Sequence, residues 1–140
     1  MKIKLLKDIK PDPDFYYDQQ FKIYHEPYLI WDKYTWMELL STCSVYRIEA
    51  NGKYAGDIIL EGKRRGHQYI VDFSLLPEYQ KKGIGKAVIE QAQKMGKRVT
   101  AITRKETLNF FLKSSFVLKR TIKDYYESGV GGYYITFDRN

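Results

Sequence analysis

The stretch Val71-Asp72-Phe73-Ser74-Leu75-Leu76-Pro77-Glu78-Tyr79-Gln80-Lys81-Lys82-Gly83-Ile84-Gly85-Lys86-Ala87-Val88-Ile89-Glu90 decides the fold. An apolar strand runs into Pro77, which stops it. A short turn rich in glycine and lysine follows, and then an amphipathic helix. That helix is expected to start near Gly83, with Ile84, Ala87, Val88, Ala92 and Met95 on one face and Gly96 as its C-cap. The start of a helix leaves several N–H groups without partners, and its aligned dipoles draw anions. Glycines at 83 and 85 remove Cβ atoms that would keep a phosphate off the backbone. Lys81, Lys82 and Lys86 add positive charge at the same mouth. The alternative is that the glycines only shape a tight turn; the lysines and the proline-stopped strand favour a diphosphate cradle. Gly-x-x-x-x-Gly-Lys-Ser/Thr is absent, and the glycine spacing is too short for Gly-x-Gly-x-x-Gly, so this is neither of the common nucleotide loops.

Working outward, His67 to Leu75 reads as the strand entering this turn, and Arg98 to Thr103 as the strand after the helix. Upstream, Val45 to Ala50 and Tyr54 to Glu61 flank Asn51-Gly52, a strong hairpin signal. Gly62-Lys63-Arg64-Arg65-Gly66 is a second turn. Lys2 to Leu6 alternates like a first strand. Pro11-Asp12-Pro13-Asp14 reads as a turn ending in an N-cap. After it Tyr17, Phe21, Tyr24 and Tyr28 recur at helical spacing, with Pro27 as a breaker. Lys33 to Ser41 reads as a second helix with Trp36, Leu39 and Leu40 inward. Downstream, Thr107 to Ser114 is a short helix with Leu108, Phe111 and Leu112 inward. Phe116 to Tyr126 and Tyr133 to Phe137 are a final strand pair, joined by a loop from Glu127 to Gly132. The order β α α β β β α β α β β, mixing hairpins with crossovers, predicts an α/β (α+β) fold with a mixed sheet. Six or seven strands and four helices are expected, in a single domain over 1–140.

The chain carries 13 Tyr, 7 Phe and a net charge of +7. Basic balance suits an anionic partner, whether a phosphorylated cofactor, a nucleic acid or an acidic protein face. Its Lys and Arg are interleaved with acids and form no basic tail, which weakens the nucleic-acid reading. A lone cysteine, Cys43, cannot form an internal disulfide and reads as a small core residue after the second helix. The N-terminal residues lack an apolar leader core, and no apolar run is long enough to span a membrane, so a cytoplasmic protein is the expectation.

Leu75 to Ile89 resembles motif A of the GNAT superfamily of N-acetyltransferases, which reads hydrophobic-x-Pro-Glu-Tyr-Arg/Gln, then a glycine turn, then a helix. Elsewhere the resemblance lies in the order of elements. It implies a GNAT-like fold and acetyl-CoA as cosubstrate. The amides of Lys81, Lys82, Gly83, Ile84, Gly85 and Lys86 would hold the pyrophosphate, with Gln80 opening the loop. Strand backbone near Phe73 and Leu75 would pair with the pantetheine arm, admitted by a splay between this strand and Arg98–Thr103.

Acetyl transfer from a thioester to an amine needs a neutral amine, a stabiliser for the carbonyl oxygen and a proton for the leaving thiolate. A strand N–H near Leu75 is a candidate for the second role. Asp72 and Glu61, on strands beside the proposed cleft, are candidate bases. Burial among Val71, Phe73 and Leu75 would raise the pKa of Asp72; a solvent-facing strand acid is the alternative. The family's acid is a tyrosine on the short helix, but here Phe111 holds that position. Ser115 stands where the family has glycine, and Arg104 where it has asparagine. Tyr126, Tyr125 or Ser114 are substitutes, and water is another. Trp31 and Trp36 with nearby tyrosines could line an acceptor pocket or simply be core. His25 and His67 show no metal or triad spacing.

The leading expectation is an acetyl-CoA-dependent N-acetyltransferase acting on a primary amine of a small molecule or protein. The competing expectations are a basic nucleic-acid-binding module and a CoA-binding domain of this kind that catalyses poorly. Expected partners are acetyl-CoA and an amine, without a membrane; a homodimer stays open.

Overall fold

A computed structural model describes residues 1–139. The elements, in order, are β1 (Ile3–Lys7), α1 (Pro13–Ile23), α2 (Lys33–Thr42), β2 (Ser44–Ala50), β3 (Lys53–Gly62), β4 (His67–Leu75), α3 (Ile84–Gln93), β5 (Arg98–Thr103), α4 (Lys105–Leu112), β6 (Val117–Glu127) and β7 (Val130–Asp138). Short 3-10 turns cover Pro27–Leu29 and Pro77–Tyr79. The strands form one seven-stranded sheet in the order β1-β2-β3-β4-β5-β7-β6. It is mixed, as expected. β4 and β5 pair in parallel from His67↔Arg98 to Ile70↔Ala101. The pairs β1–β2, β2–β3, β5–β7 and β6–β7 are antiparallel. Asn51 and Gly52 both take positive φ, 51° and 82°, as a two-residue hairpin turn of the favoured twist requires.

The chain divides into two compact units. The first comprises Met1–Glu61 with Val71–Val88. Its core joins Tyr16 of α1, Trp36 and Leu40 of α2, Val45 of β2 and Ile59 of β3. Cys43, at the end of α2, packs half-buried against this cluster. α1 starts where Asp12 accepts a hydrogen bond from the Asp14 amide at 3.0 Å, with Pro13 as its first residue. The buried face of α1 differs from expectation. Tyr16 and Gln20 are inward, while Phe21 is 49% exposed. The polar groups decide this rotation. Gln20 donates to the Trp31 carbonyl at 2.7 Å and accepts from the Trp31 amide at 2.9 Å. The Tyr16 hydroxyl donates to Asp8 at 2.6 Å. Counting aromatics alone could not foresee that a glutamine, bonded through both Nε2 and Oε1, takes a core position.

The second unit comprises Gly62–Ile70 with the chain from Ile89 onward. Val99, Ala101 and Ile135 are buried along its strands, and Phe111 meets Phe116 edge-on at 5.3 Å. Three expectations need correction here. Gly96 is not a left-handed C-cap; a Cβ there would lie 2.5 Å from the Gly66 carbonyl oxygen, so the glycine permits a close backbone approach. Gly131 and Gly132 belong to β7 rather than to a loop, because Gly132 packs under Tyr125 and Ile102. Leu112, expected inward, is 37% exposed, since α4 begins two residues earlier than the apolar spacing indicated and ends there.

Candidate active site

In the first unit, the chain leaving β4 makes a 3-10 turn at Pro77–Tyr79 and reaches Gln80. The Gln80 side chain donates back to the Leu75 carbonyl at 2.9 Å, bracing the loop against the end of the strand. Lys81 and Gly83 take positive φ, 59° and 79°, which turns successive amides toward one side of the backbone. The first helical bond of α3 runs from the Ala87 amide to the Gly83 carbonyl at 3.3 Å. Among the described residues, no backbone carbonyl accepts from the amides of residues 81 to 86. A Cβ at Gly83 would meet nothing within 4 Å, so that side of the loop is open. Lys81, Lys82 and Lys86 are exposed around it, while Ile84, 2% exposed, anchors the helix start. Unpaired amides, a helix N-terminus, an open face and three cations fit a diphosphate.

The other chemistry in this unit is a pair of acids. Asp57 lies on β3 and Asp72 on β4, with their carboxyl groups in hydrogen-bonding contact. Asp57 is 2% exposed. Its Oδ2 accepts from Ser74 at 3.3 Å and Tyr54 at 3.4 Å. Its Oδ1 has no donor. Asp72 accepts from the Tyr24 hydroxyl at 3.1 Å. Burial, and then the neighbouring Asp72, push the pKa of Asp57 well above the usual carboxylate range. Burial raises that of Asp72, while the bonds from Asp57 and Tyr24 oppose the rise. Two carboxylates in contact repel unless a proton lies between them. The pair therefore holds a proton between its two carboxyl groups.

A small cavity adjoins this pair, lined by Tyr16, Gln20, Ile23, Tyr24, Trp36 and Ser74 together with Asp57 and Asp72. It is too narrow to hold a water molecule. Trp36 Nε1, another buried polar atom without a partner, belongs to the same wall. Burial, and then the bond to Asp8, raise the pKa of Tyr16; burial, and then Asp57, raise that of Tyr54.

The remaining candidates fall elsewhere. Glu61 sits half-buried near the end of β3 and does not line this cavity. Tyr126 lies on β6 in the second unit, and its hydroxyl donates to the Ile102 carbonyl at 3.2 Å. Phe111 is core, 6% exposed. Ser115 takes a left-handed φ of 71°, where the family's glycine would sit. Arg104 precedes α4 and reaches Glu106 at 3.5 Å. His67 bonds Thr100 at 2.7 Å, a structural contact. No group of acids, histidines and cysteine able to hold a metal occurs among the described residues. Asp57 was missed in the sequence. Its signal was an acid inside Gly56-Asp57-Ile58-Ile59-Leu60, an apolar run that leaves no solvent face for it.

The acetyltransferase (GNAT) family model matches residues 6–113, and the chain belongs to that family. Solved structures with this fold include the ribosomal-protein-S18-alanine N-acetyltransferase of Escherichia coli, with TM-score 0.81 and 14% identity, over 98% of this chain and 94% of that one. A Bacillus subtilis acetyltransferase in complex with CoA aligns with TM-score 0.77 and 21% identity, over 99% and 100%. A GNAT family acetyltransferase from Elizabethkingia anophelis with acetyl-CoA bound gives TM-score 0.70 and 16% identity, over 97% of each chain. No curated protein matches the sequence.

Proposed function

We propose that residues 1–140 act as one domain transferring acetyl from acetyl-CoA to a primary amine. The run of unpaired amides from Lys81 to Lys86 carries this reading. The family assignment supports it, as do relatives of the same fold described in complex with CoA or acetyl-CoA. When bound, acetyl-CoA supplies an activated acetyl thioester. The amides of residues 81–86 hold the diphosphate, with Lys81, Lys82 and Lys86 offsetting its charge. Backbone at Phe73 and Leu75 aligns the pantetheine arm. A strand N–H near Leu75 polarises the acetyl carbonyl. Asp72 takes a proton from the incoming ammonium, with Glu61 as the second candidate base. Phe111 has no proton to give, so water protonates the leaving sulfur.

Thermal unfolding tests the reading. Acetyl-CoA at 100 times its Kd stabilises the native state by about 2.7 kcal/mol, which raises Tm. A Gly83→Val variant strains the left-handed turn and fills its open side, so this increment is lost while the circular dichroism spectrum stays native. A wild-type protein whose Tm ignores millimolar acetyl-CoA refutes the proposal.

A further inference from the structure

We infer that the second unit carries a binding surface for the phosphate backbone of a nucleic acid, built where Arg64-Arg65, Lys97 and Arg139 converge at one end of its strands. This surface shares no residue with the diphosphate cradle or the acid pair, and it stands apart from the transferase reading.

Main-chain bonds gather here cations that the sequence scatters. His67, Arg98 and Asp138 stand level across β4, β5 and β7, at strand spacings of about 4.8 Å. The residues just outside them therefore leave the strands side by side. The Gly66 carbonyl accepts from the Lys97 amide at 2.8 Å and from the Arg98 amide at 3.3 Å. The Lys97 carbonyl accepts from the Arg139 amide at 2.8 Å. The Arg139 guanidinium donates to the Lys94 carbonyl, just past α3, at 3.4 Å. A Cβ at Gly66 would lie 3.6 Å from Lys97 Cγ, so the turn before β4 rests directly on the entry to β5.

The charge of this junction is lopsided. Arg64, Arg65, Lys94, Lys97 and Arg139 are exposed, and none is ion-paired among the described residues. Lys63 adds its charge over the Tyr69 ring at 5.7 Å. Arg98 is held by Asp138 at 2.6 Å. The other nearby acids in sequence are Glu61, two residues before Lys63, and Glu90, four before Lys94. Seven cations against three acids leave the surface strongly positive. His67 feels that field: burial first, and then Arg98 and Lys63, lower its pKa.

The partner's chemistry follows from what the surface has and what it lacks. Among the described residues, none of the exposed large hydrophobic side chains lies in these segments. A protein partner needs an apolar interface core and disfavours lysine. A stable hold on anionic lipid also takes an inserted apolar group. A phosphate backbone needs only cations, and guanidinium forks match its oxygens in pairs. Tyr69, the aromatic beneath Lys63, is half-buried and offers no open face for base stacking. Binding therefore goes to phosphates, without sequence readout.

The test is fluorescence anisotropy with a short labelled DNA duplex, and a second of shuffled sequence, across a salt series. Four cations engaged with phosphates give log K a slope of about −3.6 against log salt, so affinity falls on the order of a hundredfold between about 50 and 200 mM. Arg65→Gln with Lys97→Gln halves that slope to about −1.8 and the fall to about tenfold. Lys119→Gln with Lys123→Gln removes the same charge from exposed positions of β6 and keeps the wild-type slope. All four positions are exposed, and a native circular dichroism spectrum shows each variant folded. Both duplexes bind alike, and binding persists with saturating acetyl-CoA. Absence of salt-dependent binding in wild type overturns the inference. So does an equal loss in the two double variants, which would mark diffuse charge, or displacement of the duplex by acetyl-CoA, which would put its phosphates in the cradle. Tighter binding to polyglutamate or to phosphatidylserine vesicles at equal salt assigns the surface to an acidic protein or a lipid, and overturns it as well. A Tm indifferent to acetyl-CoA bears on the proposed function alone.

Discussion

Replacing Asp57 with asparagine should change how stability depends on pH more than stability itself. Asp57 is 2% exposed, and burial with Asp72 at its side raises its pKa well above 3.8. A carboxyl whose folded pKa is raised binds its proton more readily in the native state than in the unfolded chain. Its contribution is fully present below the unfolded pKa and is lost as pH climbs toward the folded one. Across the window where the native protein keeps this proton and the unfolded chain does not, wild type loses about 1.4 kcal/mol for each pH unit. Asparagine cannot titrate, so Asp57→Asn lacks this slope. Urea unfolding of both proteins at half-unit steps upward from pH 4 isolates the difference, because every other carboxyl is common to the two. The free-energy gap between variant and wild type should widen in favour of the variant, at up to that slope, and then level off. Parallel stability curves refute the shared proton.

Gly56 carries a second prediction. A Cβ there would stand 2.0 Å from the Ser74 carbonyl oxygen, so Gly56→Ala must push β3 off β4 and should lower stability by about 1–3 kcal/mol, read by denaturant titration. Tyr126→Phe loses the bond to the Ile102 carbonyl and should lower stability by about 1 kcal/mol, read by the same titration.

Much of the architecture was legible because it rests on local rules. Asn51-Gly52 fixes a hairpin, Pro77 ends β4 at Leu75, and β5 was read with its observed bounds because an apolar run between Lys97 and Arg104 has few other options. The glycine turn after Pro77 and the helix that follows were legible for the same reason, being features of the main chain. The acid pair was not. Asp57 and Asp72 are fifteen positions apart, and only strand pairing brings them together. The inward face of α1 was misread because Gln20 answers to Trp31, eleven residues on, and no periodicity encodes such a partner. No helix among the described residues is long and apolar enough to cross a membrane.

The tie from Gln80 to the Leu75 carbonyl bears on kinetics. Because this side chain closes the loop onto the strand, little backbone freedom is left to surrender, and under the proposed function a docking diphosphate would meet donors already aimed. Cutting that tether would leave the same donors in place but wandering. Encounter would then be slower to mature into a held complex, and release quicker, without one contact to the ligand having been removed.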